Sequence, residues 1–407
     1  MVGIESIAFY TPDFYLGLQD LAEHRNVDSR KYVEGIGQDK MAVPPPDEDV
    51  VTMGANAAYY ALQGVDRRTI DTLMFATESG VDQSKAAAIY VHQLLKLPAN
   101  CRSFEIKQAC CGSTAALQMA LALVQQNSAK RVLIVASDVA RYGLGTPGEP
   151  TQGAGAIAMV ISADPNLMVF DVESGSYTED VMDFWRPNYM DEALVDGKYS
   201  IKVYLRALAE SWKGYHTESG RSYGDCDRFC FHLPFTRMAE KAHRRLAHVA
   251  GATDLDAGAL HARHADSLAY NRITGNSYTA SLYVGLASML DTCRDDLNGR
   301  RIGLFSYGSG CMATFFSGVV SDGYRDHLQA SRHAHMLEQR HALSYADYVQ
   351  FYNHRLPEDG SEYVTERFSR GRFRLAGIRD HKRLYECNQN APAVAVASAP
   401  AAERVGV

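Results

Sequence analysis

Apolar and polar positions alternate along the first half of the chain in a way that predicts helices and strands in turn. Residues 48–63 and 84–97 carry apolar side chains at helical spacing, whereas DTLMFAT (71–77) and FEIK (104–107) are typical of short strands. The pattern then predicts a helix at 113–126 and strands at 130–138 and 153–162. Such alternation indicates α/β layers around a largely buried sheet.

The second half of the chain has a similar rhythm. A strand-like run at 228–233 precedes an amphipathic helix at 236–250 and another helix at 278–290. Apolar runs at 302–310 and 311–320 flank a glycine turn and predict paired strands. Because LIVASD…GAGAIAMVI and LFSYGSGCMATFFSGVV have related shapes, we expect a diverged internal duplication.

Length and composition favour two folded units. The chain has 407 residues, 46% hydrophobic and 22% charged, and is longer than one hydrophobic core efficiently supports. We expect an N-terminal half at 1–165 and a C-terminal half at 166–387. The Ala/Val/Pro-rich segment 388–407 predicts a disordered tail.

Charge and cysteine usage argue against several functions. A net charge of −7 disfavours nucleic-acid binding, so an anionic ligand must meet a local basic patch. We expect no membrane span and a cytoplasmic location, because no 18-residue apolar run or signal-peptide pattern occurs. The eight cysteines are then reduced, and Cys226 and Cys230 lack a second pair at zinc-finger spacing, so we expect no metal.

The stretch FEIKQACCGSTAALQMA (104–120) puts two thiols at a strand-to-helix turn. A cysteine at the first helical turn faces unpaired backbone N–H groups, whose partial positive charge lowers the thiol pKa. The same groups can hold the oxyanion of a thioester under attack. Packing between helix and sheet is the alternative role for Cys110 and Cys111, and the motif alone favours it.

Three further polar residues stand in apolar or turn-like surroundings. Glu78 follows a predicted strand, where partial desolvation raises a carboxyl pKa into the range of a general acid or base; a loop or cap residue is the alternative. His232, within FCFHLPF, is typical of a core histidine. Asn276, within GNSYT, is typical of a turn or cap.

Several motifs occur together in one order between about residue 2 and residue 387. They are ATES (76–79), ACCG (109–112), GEPTQGAGA (148–156), DVMDFWRP (180–187), VDGKYSI (195–201), FHLPFT (231–236), GNSYTASLY (275–283) and SYGSG (306–310). This set resembles the motifs of bacterial 3-hydroxy-3-methylglutaryl-CoA (HMG-CoA) synthases, condensing enzymes with the thiolase fold. One departure is Cys111, which replaces the usual tyrosine of an ACYG-type motif.

The resemblance implies a thiolase-like α/β fold with two duplicated halves in α-β-α-β-α layers, and a homodimer. It makes Cys110 the nucleophile that is acetylated, and Glu78 the base that takes a proton from the acetyl methyl group. His232 would position acetoacetyl-CoA and polarise its ketone. Asn276 would hydrogen-bond the acetoacetyl thioester, and Ser309 would present a backbone N–H to an acyl oxygen.

Five other residues receive roles from the same resemblance. Tyr142, Thr151 and Asp183 would line the acyl pocket. Lys241 would contact the CoA phosphates, and Arg237 stands where the family carries a second lysine. Solvated basic residues on a helix face are the alternative for this last pair.

The implied reaction joins acetyl-CoA, acetoacetyl-CoA and water to give HMG-CoA and CoA, in the mevalonate pathway of isoprenoid biosynthesis. CoA thioesters serve as substrates, and no cofactor is expected. One alternative is a β-branching homologue that acts on acyl groups carried by an acyl carrier protein in polyketide biosynthesis. The GEPTQ and EDVMDFWRP motifs of this chain disfavour that alternative.

Two further alternatives stay open. A decarboxylating enzyme like ketoacyl synthase III would use Cys110, His232 and Asn276 as a Cys-His-Asn set, although the ATES context of Glu78 disfavours it. A non-catalytic homologue would bind acyl thioesters without transferring them. The presence of all three catalytic residue types disfavours this last alternative.

Overall fold

The structure is a computed structural model that describes residues 1–388. Residues 389–407, which make up nearly all of the predicted tail, lie outside the described residues. The strands are β1 (Gly3–Tyr10), β2 (Phe14–Gly17), β3 (Lys40–Ala42), β4 (Ile70–Ala76), β5 (Arg102–Ile106), β6 (Arg131–Ala140), β7 (Gly153–Ser162), β8 (Met168–Thr178), β9 (Phe184–Trp185), β10 (Leu194–Val195), β11 (Arg228–Phe231), β12 (Arg301–Gly308), β13 (Met312–Val320), β14 (His341–Ala342), β15 (Tyr363–Val364), β16 (Phe373–Arg379) and β17 (Lys382–Cys387). The α-helices are α1 (Leu18–His24), α2 (Val50–Ala61), α3 (Ala87–Leu95), α4 (Gly112–Gln126), α5 (Gly197–Ser219), α6 (Arg237–Val249), α7 (Ala257–Ala262), α8 (Ala269–Thr274), α9 (Ser281–Thr292), α10 (Ala330–Glu338) and α11 (Tyr345–Asn353).

A large mixed sheet runs through the described part of the chain. Its nine strands lie in the order β11-β12-β13-β8-β1-β7-β6-β4-β5 within residues 1–388. Strand β4 pairs in parallel with β5 and β6, and β11 pairs in parallel with β12. The strands of the two halves meet where β1 and β8 pair, through Gly3 with Val169 and Ile4 with Met168.

Three buried clusters separate the helices into layers. Helices α2 and α3 pack on one face of the N-terminal strands, where Phe75 points. The opposite face, with Met74, packs on α4 and α9, which also contact Leu304 of β12. Helices α5 and α6 cover the outer face of the C-terminal strands, including Phe315. Because successive residues of a strand face opposite sides, this gives the predicted α-β-α-β-α order.

Every strand and helix predicted from the sequence overlaps an observed element. Strands β1 and β8 and helix α5 were not predicted, nor were the small sheets β14-β2-β3 and β15-β16-β17. Buried and exposed positions alternate only irregularly in β8, so the sequence does not show the two-residue period that is typical of a strand. Within residues 1–388, no helix has the length and apolarity needed to span a membrane.

Candidate active site

The two adjacent cysteines lie at the turn between β5 and α4. Cys111 is the N-cap residue of α4, and Gly112 is its first helical residue. The turn requires a left-handed backbone at Ala109, whose φ is 42°. Both cysteines are buried, so the turn brings two thiols into the interior.

Cys110 faces Glu78, the residue that follows the end of β4 by two positions. The Cys110 thiol donates a hydrogen bond of 2.9 Å to Glu78 Oε1. Because β4 and β5 are parallel neighbours, their carboxyl ends lie side by side and bring the two residues together. Burial raises the pKa of Glu78 to about 8, and the negative charge of Asp138 adds to the rise. This confirms the expected general acid or base range.

The pKa of the Cys110 thiol moves against the prediction made from sequence. Burial raises this pKa well above its ordinary value, and the neighbouring Glu78 carboxylate raises it further. The predicted lowering by the helix terminus is therefore wrong for the protein without substrate. The thiol keeps its proton and donates it in a hydrogen bond to the Glu78 carboxyl group.

Asp138 near the end of β6 holds the turn that carries Glu78, and the sequence interpretation missed it. Its Oδ1 accepts hydrogen bonds from the Thr77 hydroxyl (2.7 Å) and from the backbone N–H groups of Glu78 (2.9 Å) and Ser79 (3.0 Å). Its Oδ2 accepts from the Thr279 hydroxyl at 2.5 Å. The sequence did contain a signal for Asp138. The segment LIVASD ends with this aspartate, and the parallel pairing of β6 with β4 places that end beside ATES.

An aromatic cluster surrounds Cys110. The buried Tyr278 belongs to it, and Tyr142 and Phe184 pack against it. The three rings meet edge to face, with centroids 5.7 to 6.1 Å apart. Tyr142 packs beside Cys110, and its role in the acyl pocket stays a prediction. Phe184 and Tyr278 were not singled out from the sequence, although both lie inside matched motifs.

Asn276 is tied to this cluster on both sides of its amide. Its Nδ2 donates to the Tyr142 hydroxyl at 3.3 Å, and its Oδ1 accepts from the Tyr278 N–H at 2.9 Å. Asn276 therefore lies beside the aromatic cluster of Cys110. Its bond to the acetoacetyl thioester stays a prediction.

Asp183 is completely buried. Its oxygens accept hydrogen bonds from the Tyr307 hydroxyl (2.5 Å), the Ser200 hydroxyl (3.0 Å) and the Gly310 N–H (2.9 Å). These contacts fix the turn that carries Ser309. The role of Asp183 in the acyl pocket stays a prediction.

Two other predicted pocket residues differ in position. Ser309 borders a cleft that Glu78 and Ala109 also line. Thr151 ends a short 3₁₀ helix, and its hydroxyl donates to the Gly148 carbonyl at 2.8 Å. The role of Thr151 in the acyl pocket stays a prediction.

His232 directly follows β11 and is buried. Burial lowers its pKa to about 3, so the imidazole is neutral. The next residue, Leu233, exchanges hydrogen bonds of 3.0 Å with the Ser281 hydroxyl at the start of α9. Among residues 1–388, no hydrogen bond joins the His232 ring to Cys110 or Glu78, so its convergence with them stays a prediction.

The cations proposed for CoA lie on the exposed face of α6, away from the cleft at Glu78. Arg237 is paired with Glu240 at 2.6 Å and also donates to the Glu34 carbonyl. The Lys241 ammonium lies 5.4 Å from the centre of the Phe235 ring. Both side chains are exposed, and the Arg237 charge is paired with Glu240.

A cleft of about 1360 Å³ leads from the surface to Glu78. Lys107, Arg186 and Arg355 line it, and the Arg186 guanidinium donates to the Glu78 carbonyl. Acidic residues such as Glu105 also line it, so its charge is mixed. Residues 1–388 contain no group of three His, Cys, Asp or Glu side chains that could hold a metal ion.

Comparison with known proteins matches both halves of the chain. The family model described as "Hydroxymethylglutaryl-coenzyme A synthase N terminal" matches residues 1–166, and its C-terminal counterpart matches 168–256 and 250–369. The chain belongs to the hydroxymethylglutaryl-CoA synthase family. This synthase is 41% identical to the hydroxymethylglutaryl-CoA synthase of Enterococcus faecalis, over 94% of this chain and 99% of the relative.

Two further similarities bear on the substrate carrier. A crystal structure of HMG-CoA synthase complexed with CoA is similar with a TM-score of 0.90 and 38% identity, covering 95% of this chain and 100% of the other. The polyketide biosynthesis 3-hydroxy-3-methylglutaryl-ACP synthase of Bacillus subtilis is 32% identical, over 85% of this chain and 86% of the relative. The synthase thus lies nearer to the CoA-type enzyme.

These similarities confirm three predictions made from the sequence. The synthase has the thiolase-like fold, it is an acyltransferase, and its function is that of an HMG-CoA synthase rather than of a polyketide enzyme. The roles of individual residues do not follow from family membership and depend on the geometry around Cys110.

Proposed function

We propose that the synthase condenses acetyl-CoA with acetoacetyl-CoA and water to give HMG-CoA and CoA, through an acetyl group carried on Cys110. The observation that carries this proposal is the 2.9 Å hydrogen bond from the Cys110 thiol to Glu78. It pairs a nucleophile with a carboxylate whose pKa is close to neutral pH, as covalent and general-base catalysis require.

Acetyl transfer comes first. The Cys110 thiol loses its proton to the Glu78 carboxylate, and the sulfur attacks the thioester carbon of acetyl-CoA. The bond between that carbon and the CoA sulfur breaks, and the CoA sulfur takes up the proton that Glu78 received. CoA leaves as a thiol, and Glu78 is a carboxylate again. Because the raised pKa keeps Cys110 protonated, an acceptor within hydrogen-bond distance is needed for this step.

Condensation follows on the acetylated enzyme. The Glu78 carboxylate removes a proton from the acetyl methyl group, and the resulting carbon nucleophile attacks the ketone of acetoacetyl-CoA. The neutral His232 imidazole donates a hydrogen bond to the ketone oxygen, which takes up the proton that Glu78 removed, so the Glu78 carboxylate is restored. Water then cleaves the enzyme thioester, which restores the Cys110 thiol and releases HMG-CoA. Covalent attachment holds the acetyl group beside its acceptor.

The two halves divide these tasks. The N-terminal half, 1–165, supplies Glu78 and Cys110, and the C-terminal half, 166–387, supplies His232. In this proposal Arg237 and Lys241 bind the CoA phosphates. The protein acts as a cytoplasmic homodimer in the mevalonate pathway, and the acyl-carrier-protein reaction is the second candidate because the Bacillus subtilis relative carries that name.

The test of the proposal is to locate the acetyl group. The enzyme and the variants Cys110→Ser and Cys111→Ser are incubated with acetyl-CoA, digested and analysed by mass spectrometry. We expect acetyl-Cys110 in the wild type and in Cys111→Ser, and no acetylated cysteine in Cys110→Ser. Acetylation of Cys111 would contradict the assignment.

The carrier is tested separately. Condensation assays offer acetoacetyl-CoA and acetoacetyl carrier protein side by side to the acetylated wild type. Product from the CoA substrate supports the proposal. Product from the carrier-protein substrate alone would make the second candidate the function.

A further inference from the structure

Glu149, in the GEPTQ motif, is a buried carboxylate that the proposed reaction does not use. Its Oε2 accepts hydrogen bonds from the Arg25 guanidinium at 2.6 Å and from the Gly145 N–H at 2.9 Å. Its Oε1 accepts from the Tyr348 hydroxyl at 3.1 Å. Arg25 directly follows α1 and Tyr348 lies on α11, so Glu149 joins both helices to its own loop.

The hydrogen bonds continue from Tyr348 to the backbone of Tyr142. The Tyr142 N–H donates to Gln152 Oε1 at 2.9 Å, so the Gln152 Nε2 group is the one that donates to the Tyr348 hydroxyl, also at 2.9 Å. Burial and the charge of Glu149 raise the pKa of Tyr348, so its hydroxyl keeps the proton that it donates to Glu149. Each bond of this buried network therefore has one donor and one acceptor.

The same segment holds Tyr142 at two further points. The Thr146 hydroxyl donates to the Tyr142 carbonyl at 2.9 Å. Gly148 lies against the tyrosine so closely that a Cβ atom on it would be 2.8 Å from the Tyr142 Cβ. The Tyr142 ring packs in the cluster of Cys110, and its hydroxyl accepts from Asn276 at 3.3 Å. The segment thus fixes the backbone of a residue whose ring borders the proposed nucleophile.

We propose that Glu149, Gln152 and Tyr348 are positioning residues for acetyl transfer. Their hydrogen bonds fix the Tyr142 ring beside the Cys110 sulfur, where the acetyl group is received. This inference rests on the proposed acetylation of Cys110 and on the predicted place of Tyr142 in the acyl pocket. Reacting atoms must approach to about 3–3.5 Å, and a displacement of about 1 Å can cost about 10²-fold in rate.

The variant Tyr348→Phe interrupts the network at its centre. It removes one hydroxyl and keeps the ring, which packs against the rings of Tyr345 and Tyr352. The Gln152 amide then loses the partner that sets its orientation, and Tyr142 loses a fixed acceptor for its N–H. Tyr345→Phe is the matched control, because it lies on the same helix and its hydroxyl makes no hydrogen bond among residues 1–388.

The experiment measures acetyl-enzyme formation by rapid quenching and mass spectrometry over a range of acetyl-CoA concentrations. Tyr348→Phe should lower the rate at saturation by about 10- to 100-fold, with little change in the half-saturating concentration. Tyr345→Phe should behave as the wild type. The same substitution is then made in Tyr142→Ala, sampled over hours so that slow acetylation stays measurable. There Tyr348→Phe should cause no further loss, because the residue through which it acts has lost its ring.

Two results would overturn the inference. One is a wild-type rate in a folded Tyr348→Phe variant. The other is an equal loss from Tyr348→Phe with and without the Tyr142 ring, since the hydroxyl would then act by another route. A wild type that forms no acetyl-Cys110 would instead overturn the proposed function.

A second pair of variants serves where Tyr348→Phe folds poorly, as judged by thermal unfolding. Glu149→Gln keeps an acceptor oxygen for the Tyr348 hydroxyl, whereas Glu149→Ala removes it. We expect the glutamine variant to keep at least about tenfold more of the acetylation rate than the alanine variant. Equal rates in the two variants would overturn the inference.

Discussion

Replacement of Glu78 by alanine should separate acetyl transfer from condensation. The Glu78 carboxylate acts on the Cys110 thiol in two opposing ways: it accepts the thiol proton, and its charge raises the thiol pKa. Its removal takes away the acceptor but lowers the thiol pKa, so acetyl transfer should persist at a reduced rate. No second carboxylate is hydrogen-bonded to Cys110 among residues 1–388 to remove the methyl proton, so condensation should be lost.

The size of the loss depends on pH. Loss of a general base typically costs about 10²- to 10⁴-fold in rate, which is about 2.7 to 5.4 kcal/mol of activation free energy. With a pKa of about 8, roughly one tenth of wild-type Glu78 is ionised at pH 7 and roughly nine tenths at pH 9. Because the base works as the carboxylate, wild-type condensation should rise about tenfold over this range. Condensation by the variant should not follow that rise.

The assay measures both half-reactions in one preparation. Rapid quenching after addition of acetyl-CoA gives the rate of acetyl-enzyme formation, and a chase with acetoacetyl-CoA gives the single-turnover rate of HMG-CoA formation. Glu78→Gln is the matched control, because it keeps the side-chain volume and removes the base. Equal losses in both steps for both variants would refute the reasoning, since Glu78 would then act on the thiol or on the structure alone.

Three further predictions follow from buried or charged groups. Asp138→Asn should lower the pKa of Glu78, because one of the charges that raises it is gone; the rising limb of the condensation pH profile should move to lower pH. In steady-state kinetics, the double variant Arg237→Ala/Lys241→Ala should raise KM for CoA substrates with little change in kcat. The KM of the wild type should rise with salt concentration. Arg374→Ala leaves its buried carboxylate partner without its cation and should destabilise the fold by about 3–5 kcal/mol in chemical denaturation.

The part of the site built on neighbouring strands was open to prediction from sequence. ATES follows β4 and ACCG follows β5, and alternation of strands and helices implies parallel neighbours whose ends meet. The 2.9 Å contact between Glu78 and Cys110 is the direct result. Sequence order alone was less informative for His232, because its strand lies at the opposite end of the sheet order from β5.

The pKa of Cys110 could not be predicted from the local motif. A helix terminus contributes typically about 0.3–1 kcal/mol, and the sequence shows only this local effect. Full burial shifts a pKa by up to about 3–5 units, and an adjacent carboxylate acts in the same direction. Both depend on residues far away in the chain, and they outweigh the helix terminus in this structure.

The hydrogen-bond partners of two buried aspartates escaped prediction for a related reason. Asp138 and Asp183 each follow or precede an apolar run, where a carboxylate suggests a functional group. The structural role of each aspartate depends on hydrogen-bond donors that are distant in sequence, such as Thr279 for Asp138 and Tyr307 for Asp183. Such contacts hold the Glu78 turn and the Ser309 turn in place.

The two adjacent thiols show how the same local motif divides into two roles. The Cys110 thiol donates to Glu78, whereas the Cys111 sulfur accepts a 3.4 Å hydrogen bond from the Ser306 hydroxyl of β12. Burial raises the pKa of Cys111 to about 11, so this thiol stays protonated and has no carboxylate to take its proton. A nucleophile needs both access to a base and a position beside the substrate. Cys110 meets the first condition and Cys111 does not, which is why replacement of the family's tyrosine by Cys111 adds no second nucleophile.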